Sequence, residues 1–277
     1  MESELIIRLG GFLGAFLACA LWERLAPRRP LSAGRRLRWL ANLGVTLLNS
    51  MALRLLFPVL AVGSAAAAAA RGWGLLNNYP LPGWLAVITS LVLLDFVIYV
   101  QHVLFHTLPL LWRLHMVHHA DLDVDVTTGL RFHPLEIMLS MLIKIATVLL
   151  IGAPVLSVLV FEVVLNATSI FNHSNAAMRP ALDRVLRLLV VTPDMHRVHH
   201  SVTIRETNSN FGFNLPWWDR IMGTYRPQPV AGHTGMTIGL AQFRPPQPQG
   251  LGWMLLLPFR GNPGAYAINQ RGQEPRS

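Results

Sequence analysis

The chain has 277 residues, 52% hydrophobic and only 13% charged, far below the roughly 25% charge of an ordinary soluble domain, so a water-soluble globular protein is excluded. A formal charge of +9 comes almost wholly from arginine, Lys144 being the sole lysine. The arginines flank apolar stretches and no basic helix is interleaved with aromatics, which argues against nucleic acid as a partner. Cys19, the one cysteine, lies inside the first apolar stretch, so neither an intramolecular disulfide nor a cysteine-based metal site is available.

The first apolar run, Leu5 to Trp22, is followed by Arg24, Arg28, Arg29, Arg35, Arg36 and Arg38. A secretory leader carries its positive charge before the apolar core, so this run reads as a membrane span with residues 24–38 in the cytoplasm. A second span is expected from about Trp39 to Val62, interrupted by Asn42, Asn49 and Arg54, and a third from Pro82 or Trp84 through Val100. Residues 107–134 then form a cytoplasmic cap segment. Leu135 to Phe171, broken at Gly152, Ala153 and Pro154, reads as a hairpin of two helices of about 17 residues each, short for a full crossing. Both hairpin ends return to one side. Pro180 to Val191 suits a helix on the cytoplasmic surface, and Thr192-Pro193-Asp194 starts another helix with Thr192 as its cap. Residues from about 243 onward look loosely structured apart from the apolar Trp253 to Phe259. The pattern defines an all-α, multi-pass transmembrane helical bundle with a cytoplasmic helical cap, divided as 1–83 (N-terminal spans and basic loop), 84–226 (the histidine-bearing unit) and 227–277 (tail).

Ten of the eleven histidines fall in a few places. Asp95, Tyr99, His102 and His106 sit at i, i+4, i+7 and i+11, one stripe of a helix, and beyond a Pro109-containing joint His115, His118 and His119 sit at i, i+3 and i+4. His196, His199 and His200 repeat that HxxHH spacing, with His133 and His173 at the two ends of the intervening hairpin. Neutral imidazoles paired at i, i+3 or i+4 offer two nitrogens to one ion from a rigid helix, and eight histidines in three motifs exceed what one ion uses. Two metal ions are therefore expected. Zinc needs fewer ligands than this, whereas iron suits a high-coordinate nitrogen site with redox chemistry. His233 stands alone and is read as a surface or core residue.

Glu162, Asn166, Ser169 and His173 repeat the polar stripe of Asp95 to His106, so Asp95 and Glu162 belong in or near the site or bond between helices. Lys144 is expected to snorkel or to pair with Glu136. Asp121, Asp123, Asp125 and Asp194 flank the histidine motifs and are candidates to orient imidazoles by accepting their second N–H. Trp217 and Trp218 read as interfacial or core aromatics.

HVLFH at 102–106, HMVHH at 115–119 and HRVHH at 196–200, in this order around a hydrophobic hairpin, resemble the fatty acid hydroxylase and sterol desaturase superfamily of membrane non-haem di-iron oxygenases; RFHPLE at 131–136 and FNHSN at 171–175 resemble its accessory histidine positions. The resemblance covers roughly residues 84–226. It implies two Fe ions, replaceable by zinc in purified material, held by His102, His106, His115, His118, His119, His196, His199 and His200, with His133 and His173 as further ligands or their supports. It implies hydroxylation or desaturation of a sterol-like, fatty acyl or ether-lipid substrate with dioxygen and external electrons, at the cytoplasmic membrane surface. The haem motif HPGG is absent, His133-Pro134 being followed by Leu135-Glu136, so a separate cytochrome b5-like or ferredoxin-like donor is expected, meeting arginines such as Arg113, Arg197 and Arg205. The competing readings are a zinc-dependent membrane hydrolase, for which no HExxH motif exists, and a divalent-metal transporter or sensor, whose ligands belong at the bilayer midplane rather than at helix ends.

Overall fold

A computed structural model describes residues 2–57, 59–244 and 249–269, and among these the regular structure is helical, with two isolated β-bridges. The long helices are α1 (Glu2–Leu25) and α2 (Arg35–Leu56); α3 (Ala61–Arg71) and α4 (Leu75–Asn78) are shorter and precede α5 (Gly83–Thr107). After α6 (Pro109–His119) the hairpin is α7 (Pro134–Ile151) and α8 (Val155–His173). The remainder consists of α9 (Pro180–Leu186), α10 (Pro193–His199), α11 (Ile204–Thr207), α12 (Trp217–Ile221), α13 (Gly232–Gly235) and α14 (Leu251–Arg260).

Among the described residues, five segments are long and apolar enough to cross a membrane: Glu4–Leu25, Arg35–Asn78, Gly83–Thr107, Pro134–Ile151 and Val155–His173. The chain is an integral multi-pass membrane protein. Leu13, Leu17 and Leu21 on α1 and Leu43, Leu47 and Leu55 on α2 are exposed, as side chains facing lipid must be. The hairpin helices, 18 and 19 residues long, rise about 27 and 28 Å, close to the thickness of a hydrocarbon core. Their turn is made by Gly152, which caps α7 at φ 68°, and it is clasped by the α3–α4 loop: a Cβ on Gly74 would lie 2.2 Å from Gly152 N, so only glycine fits.

The segment between α6 and α7 is held by buried charge as well as by apolar packing. Arg38, from the start of α2, donates to Asp121 (2.6 Å) and to Asp125 (2.8 Å), and all three are buried. Asp123 accepts from the backbone N–H groups of Ser32 and Ala33. Asp194 pairs with Arg197 and Arg28. These four acids thus tie the α6–α7 segment and the start of α10 to residues 28–38, and none of them touches a histidine of the dense motifs. Burial alone would raise the Asp121 pKa, but Arg38 and Arg131 outweigh it and hold the carboxyl down at about 2.

The C-terminal segment differs from the loose tail expected from its composition. Met254 and Leu257 of α14, with Tyr266 and Ala267, pack against Trp112, Met116 and Val117 of α6 in one apolar cluster. Arg113 donates to the carbonyls of Pro258 and Gly261, and Trp112 Nε1 to that of Pro263. The apolar Trp253 to Phe259, excepted from that expectation, lies within α14, which closes over the histidine-bearing α6.

Candidate metal centre

Nine histidines converge at one end of the bundle, and all are buried. They divide into two groups whose ring nitrogens lie within 4.8 Å of one another: His102, His106, His115, His119 and His199 in one, His118, His173, His196 and His200 in the other. His102 and His106 come from the end of α5, His115 to His119 from α6, His173 from the last residue of α8, and His196 and His199 from α10, with His200 as its C-cap. Each HxxHH motif feeds both groups. His115 and His119 go to one and His118 to the other, while His199 goes to one and His196 and His200 to the other, so the i+3/i+4 spacing interleaves the groups.

The rings are aimed from outside. His102 Nδ1 donates to Phe211 O (2.8 Å), His118 Nδ1 to Arg131 O (3.2 Å), His173 Nδ1 to Ser169 O (2.7 Å) and His199 Nδ1 to Ser209 O (2.8 Å). A carbonyl has no proton to give, so each of these rings carries its proton on Nδ1 and turns a bare Nε2 inward. His115 Nδ1 meets Glu136 Oε1 at 2.7 Å, and His106 Nδ1 meets Asn208 Oδ1 at 3.1 Å. Inward, Nε2 atoms face one another at 3.2 Å (His102–His115), 3.1 Å (His106–His119), 3.1 Å (His118–His173) and 3.0 Å (His173–His196). His199 Nε2 and both nitrogens of His200 are buried without a partner among the described residues. Buried lone pairs facing one another, with their outer N–H groups fixed by carbonyls, are what metal ions satisfy. His118, His119, His196, His199 and His200 are pushed well below the ordinary histidine pKa, first by burial and then by the neighbouring histidines of the centre, so they are neutral and ready to ligate.

The structure places His133 apart from both groups. It caps α7, accepting from Leu135 N at 3.2 Å, with its Nε2 near Leu255 O. His233 is buried near Asp194, also away from both groups. Lys144 pairs with Glu162 at 2.9 Å rather than with Glu136, which is engaged by His115. Asp95 accepts from Asn214, Leu215 N and Trp218 Nε1 and so ties α5 to the α12 region, whereas Glu162 faces a cavity. Arg113 and Arg197 are engaged inside the protein, which leaves Arg205 the exposed one of the three arginines expected at a donor surface. Glu136, Asn208 and the Ser209–Phe211 backbone are the supports that sequence spacing missed. The polar run 207–210 and the positive φ of Asn210 are the signals of the tight turn that delivers those carbonyls.

A cavity of about 920 Å³ adjoins the centre, at the large end of ligand-sized pockets. His102, His115 and Phe132 line its inner end; Ile98, Met141 and Leu165 line its shaft.

A bundle of membrane-spanning helices ending in two interleaved histidine groups defines a class of membrane proteins with histidine-cluster centres. Residues 87–224 match the fatty acid hydroxylase family, and the chain belongs to the fatty acid hydroxylase and sterol desaturase superfamily. It is 33% identical over 158 residues to the ornithine lipid hydroxylase OlsE of Rhizobium tropici, a match covering 56% of this chain and 47% of that one. It is 28% identical over 156 residues to the alkylglycerol monooxygenase of Homo sapiens, covering 54% and 33% respectively. The chain thus spans about half the length of the first relative and a third of the second. No solved structure matches.

Proposed function

We propose that this protein is a non-haem di-iron oxygenase that uses dioxygen and external electrons to hydroxylate or desaturate a C–H position of a membrane lipid. The observation that carries the reading is the junction of the histidine centre with a lipid-sized cavity, made by His102 and His115, which belong to the five-histidine group and also line the cavity. The catalytic unit is 84–226, braced by the N-terminal helices and by α14. One iron is assigned to His102, His106, His115, His119 and His199, the other to His118, His173, His196 and His200. All-nitrogen groups of five and four suit iron better than four-coordinate zinc alone.

When bound, the irons supply dioxygen reduction and abstraction of hydrogen from an unactivated C–H. The protein's part is positional. Carbonyls of Phe211, Arg131, Ser169 and Ser209 fix ring orientation; Glu136 strengthens His115 as a donor; Phe105, Phe132 and Phe213 keep the cavity end apolar and exclude water. The arginines of residues 24–38 support a cytoplasmic centre, reached by a separate electron-donor protein. Placement of the ligands at helix ends, together with lipid-hydroxylase relatives, disfavours a transporter or hydrolase.

The test is incubation of iron-loaded protein with a membrane lipid extract, reductant and ¹⁸O₂. A lipid product that gains one labelled oxygen, or loses two hydrogens with matching dioxygen consumption, supports the reading. Products indifferent to dioxygen and reductant contradict it.

A further inference from the structure

The far end of the cavity is not apolar. Lys144 Nζ and Arg8 Nη2 converge on the two oxygens of a single carboxylate, Glu162, and Arg8 also bonds Glu4 at 3.0 Å. All four line the cavity, and so does Arg54 in the last turn of α2, which has no ion-pair partner among the described residues. With Glu136 engaged by His115, three of the cavity-lining cations stand against two carboxylates, Glu4 and Glu162. Ionisable groups inside a span are costly and mark function or a required partner. Here they end a shaft whose other end is the histidine centre.

The separation is set by helix rise. Lys144 lies eight residues beyond Glu136, which touches His115, and Glu162 lies eleven residues before His173, so the charged end is about 12–16 Å from the histidine layer along α7 and α8. We propose that this cluster seats the anionic headgroup of the lipid substrate, a carboxylate or phosphate shared between Lys144, Arg8 and Arg54. The apolar shaft holds its chain, and the reacting carbon lies along that chain, remote from the headgroup. Glu162 is the internal surrogate with which the ligand competes. The assignment of the reacting end rests on the oxygenase reading; the headgroup seat does not.

The test is displacement of cis-parinarate from the purified full-length protein in detergent, without reductant, by stearate, stearoyl lysophosphatidate or octadecanol. It needs no metal and no turnover, so failure of the oxygenase reading leaves it readable. At least one anion is expected to bind some five- to tenfold tighter than octadecanol. Stearate the tighter identifies a carboxylate, lysophosphatidate the tighter a phosphate. Lys144→Met abolishes that preference while leaving octadecanol unchanged, and Arg8→Met, nearer the rim, does the same where Lys144→Met does not fold. Glu162→Gln strengthens the preference, because it removes the competitor; a purely structural ion cluster would weaken with all three substitutions. Equal binding of octadecanol and both anions by the wild type, or loss of all competitors alike in every folded variant, overturns the proposal.

Discussion

His115 Nδ1 and Glu136 Oε1 lie 2.7 Å apart, both buried, joining the second histidine motif to the first turn of the hairpin. The other Glu136 oxygen has no partner among the described residues, so its charge is directed at the imidazole. Glu136→Gln keeps the shape and removes the charge. The expected result is a roughly 10- to 100-fold loss of iron affinity, as for other supports of metal-bound histidine, read by competition with a chelator. Affinity equal to wild type would remove Glu136 from the site.

Contrast between two histidines tests the division of the centre. His200→Ala is expected to lower metal from two ions per chain toward one, because His200 sits in the four-histidine group with both ring nitrogens unpartnered. His133→Ala is expected to retain both ions and to lose about 1 kcal/mol of stability through the α7 cap. Elemental analysis of both variants decides, and the reverse ordering would contradict the assignment.

Gly129 lies where the 3₁₀ turn Thr128–Leu130 meets α8. A Cβ there would fall 2.5 Å from Ser169 O and 3.1 Å from His173 Nδ1. Ser169 O is the acceptor that aims His173. Gly129→Ala is therefore expected to displace that carbonyl and to empty the four-histidine group before the other, visible as half-loading with metal.

Acid should release the metal cooperatively. His118, His119, His196, His199 and His200 have folded pKa values well below the ordinary ~6.5. The unfolded chain binds protons first as pH falls, so the stability that these neutral rings contribute is complete above ~6.5 and is lost progressively below it. Metal content and unfolding temperature followed from pH 8 to 4 should fall together with a slope steeper than one proton. A flat profile across that range would contradict the buried neutral cluster.

The Arg38 network holds the segment between α6 and α7. Removing its guanidinium leaves Asp121 and Asp125 buried and unpaired, a cost of about 3–5 kcal/mol. Arg38→Met should lower the thermal midpoint of the metal-free protein in detergent, whereas Arg36→Met, at an exposed position, should not.

Much of this architecture is legible in the sequence because its signals are local. Apolar runs mark the spans, and i, i+3, i+4 spacing puts His115, His118 and His119 on one turn. What spacing cannot reveal is which ring enters which group, since His118 joins His173 and His196 from other helices. The supports are also non-local: Phe211 O and Asn208 are more than a hundred residues from the imidazoles they hold. The acids Asp121, Asp123 and Asp125 look like imidazole partners by proximity in the chain, but Arg38 and the 32–33 backbone reach them first. Lys144 and Glu162 find each other across the hairpin, a pairing that its two separate helical patterns do not announce.

The most direct test of the account is metal content and the Mössbauer spectrum of protein reconstituted anaerobically with ⁵⁷Fe(II), before and after dioxygen. The account predicts two irons per chain and a diferrous signal that dioxygen consumes and reductant restores. Zinc in protein as first purified does not bear on this, because zinc displaces iron during expression. Failure to form an oxygen-reactive two-iron centre after reconstitution would contradict the oxygenase and return the histidine groups to a transport or hydrolytic role.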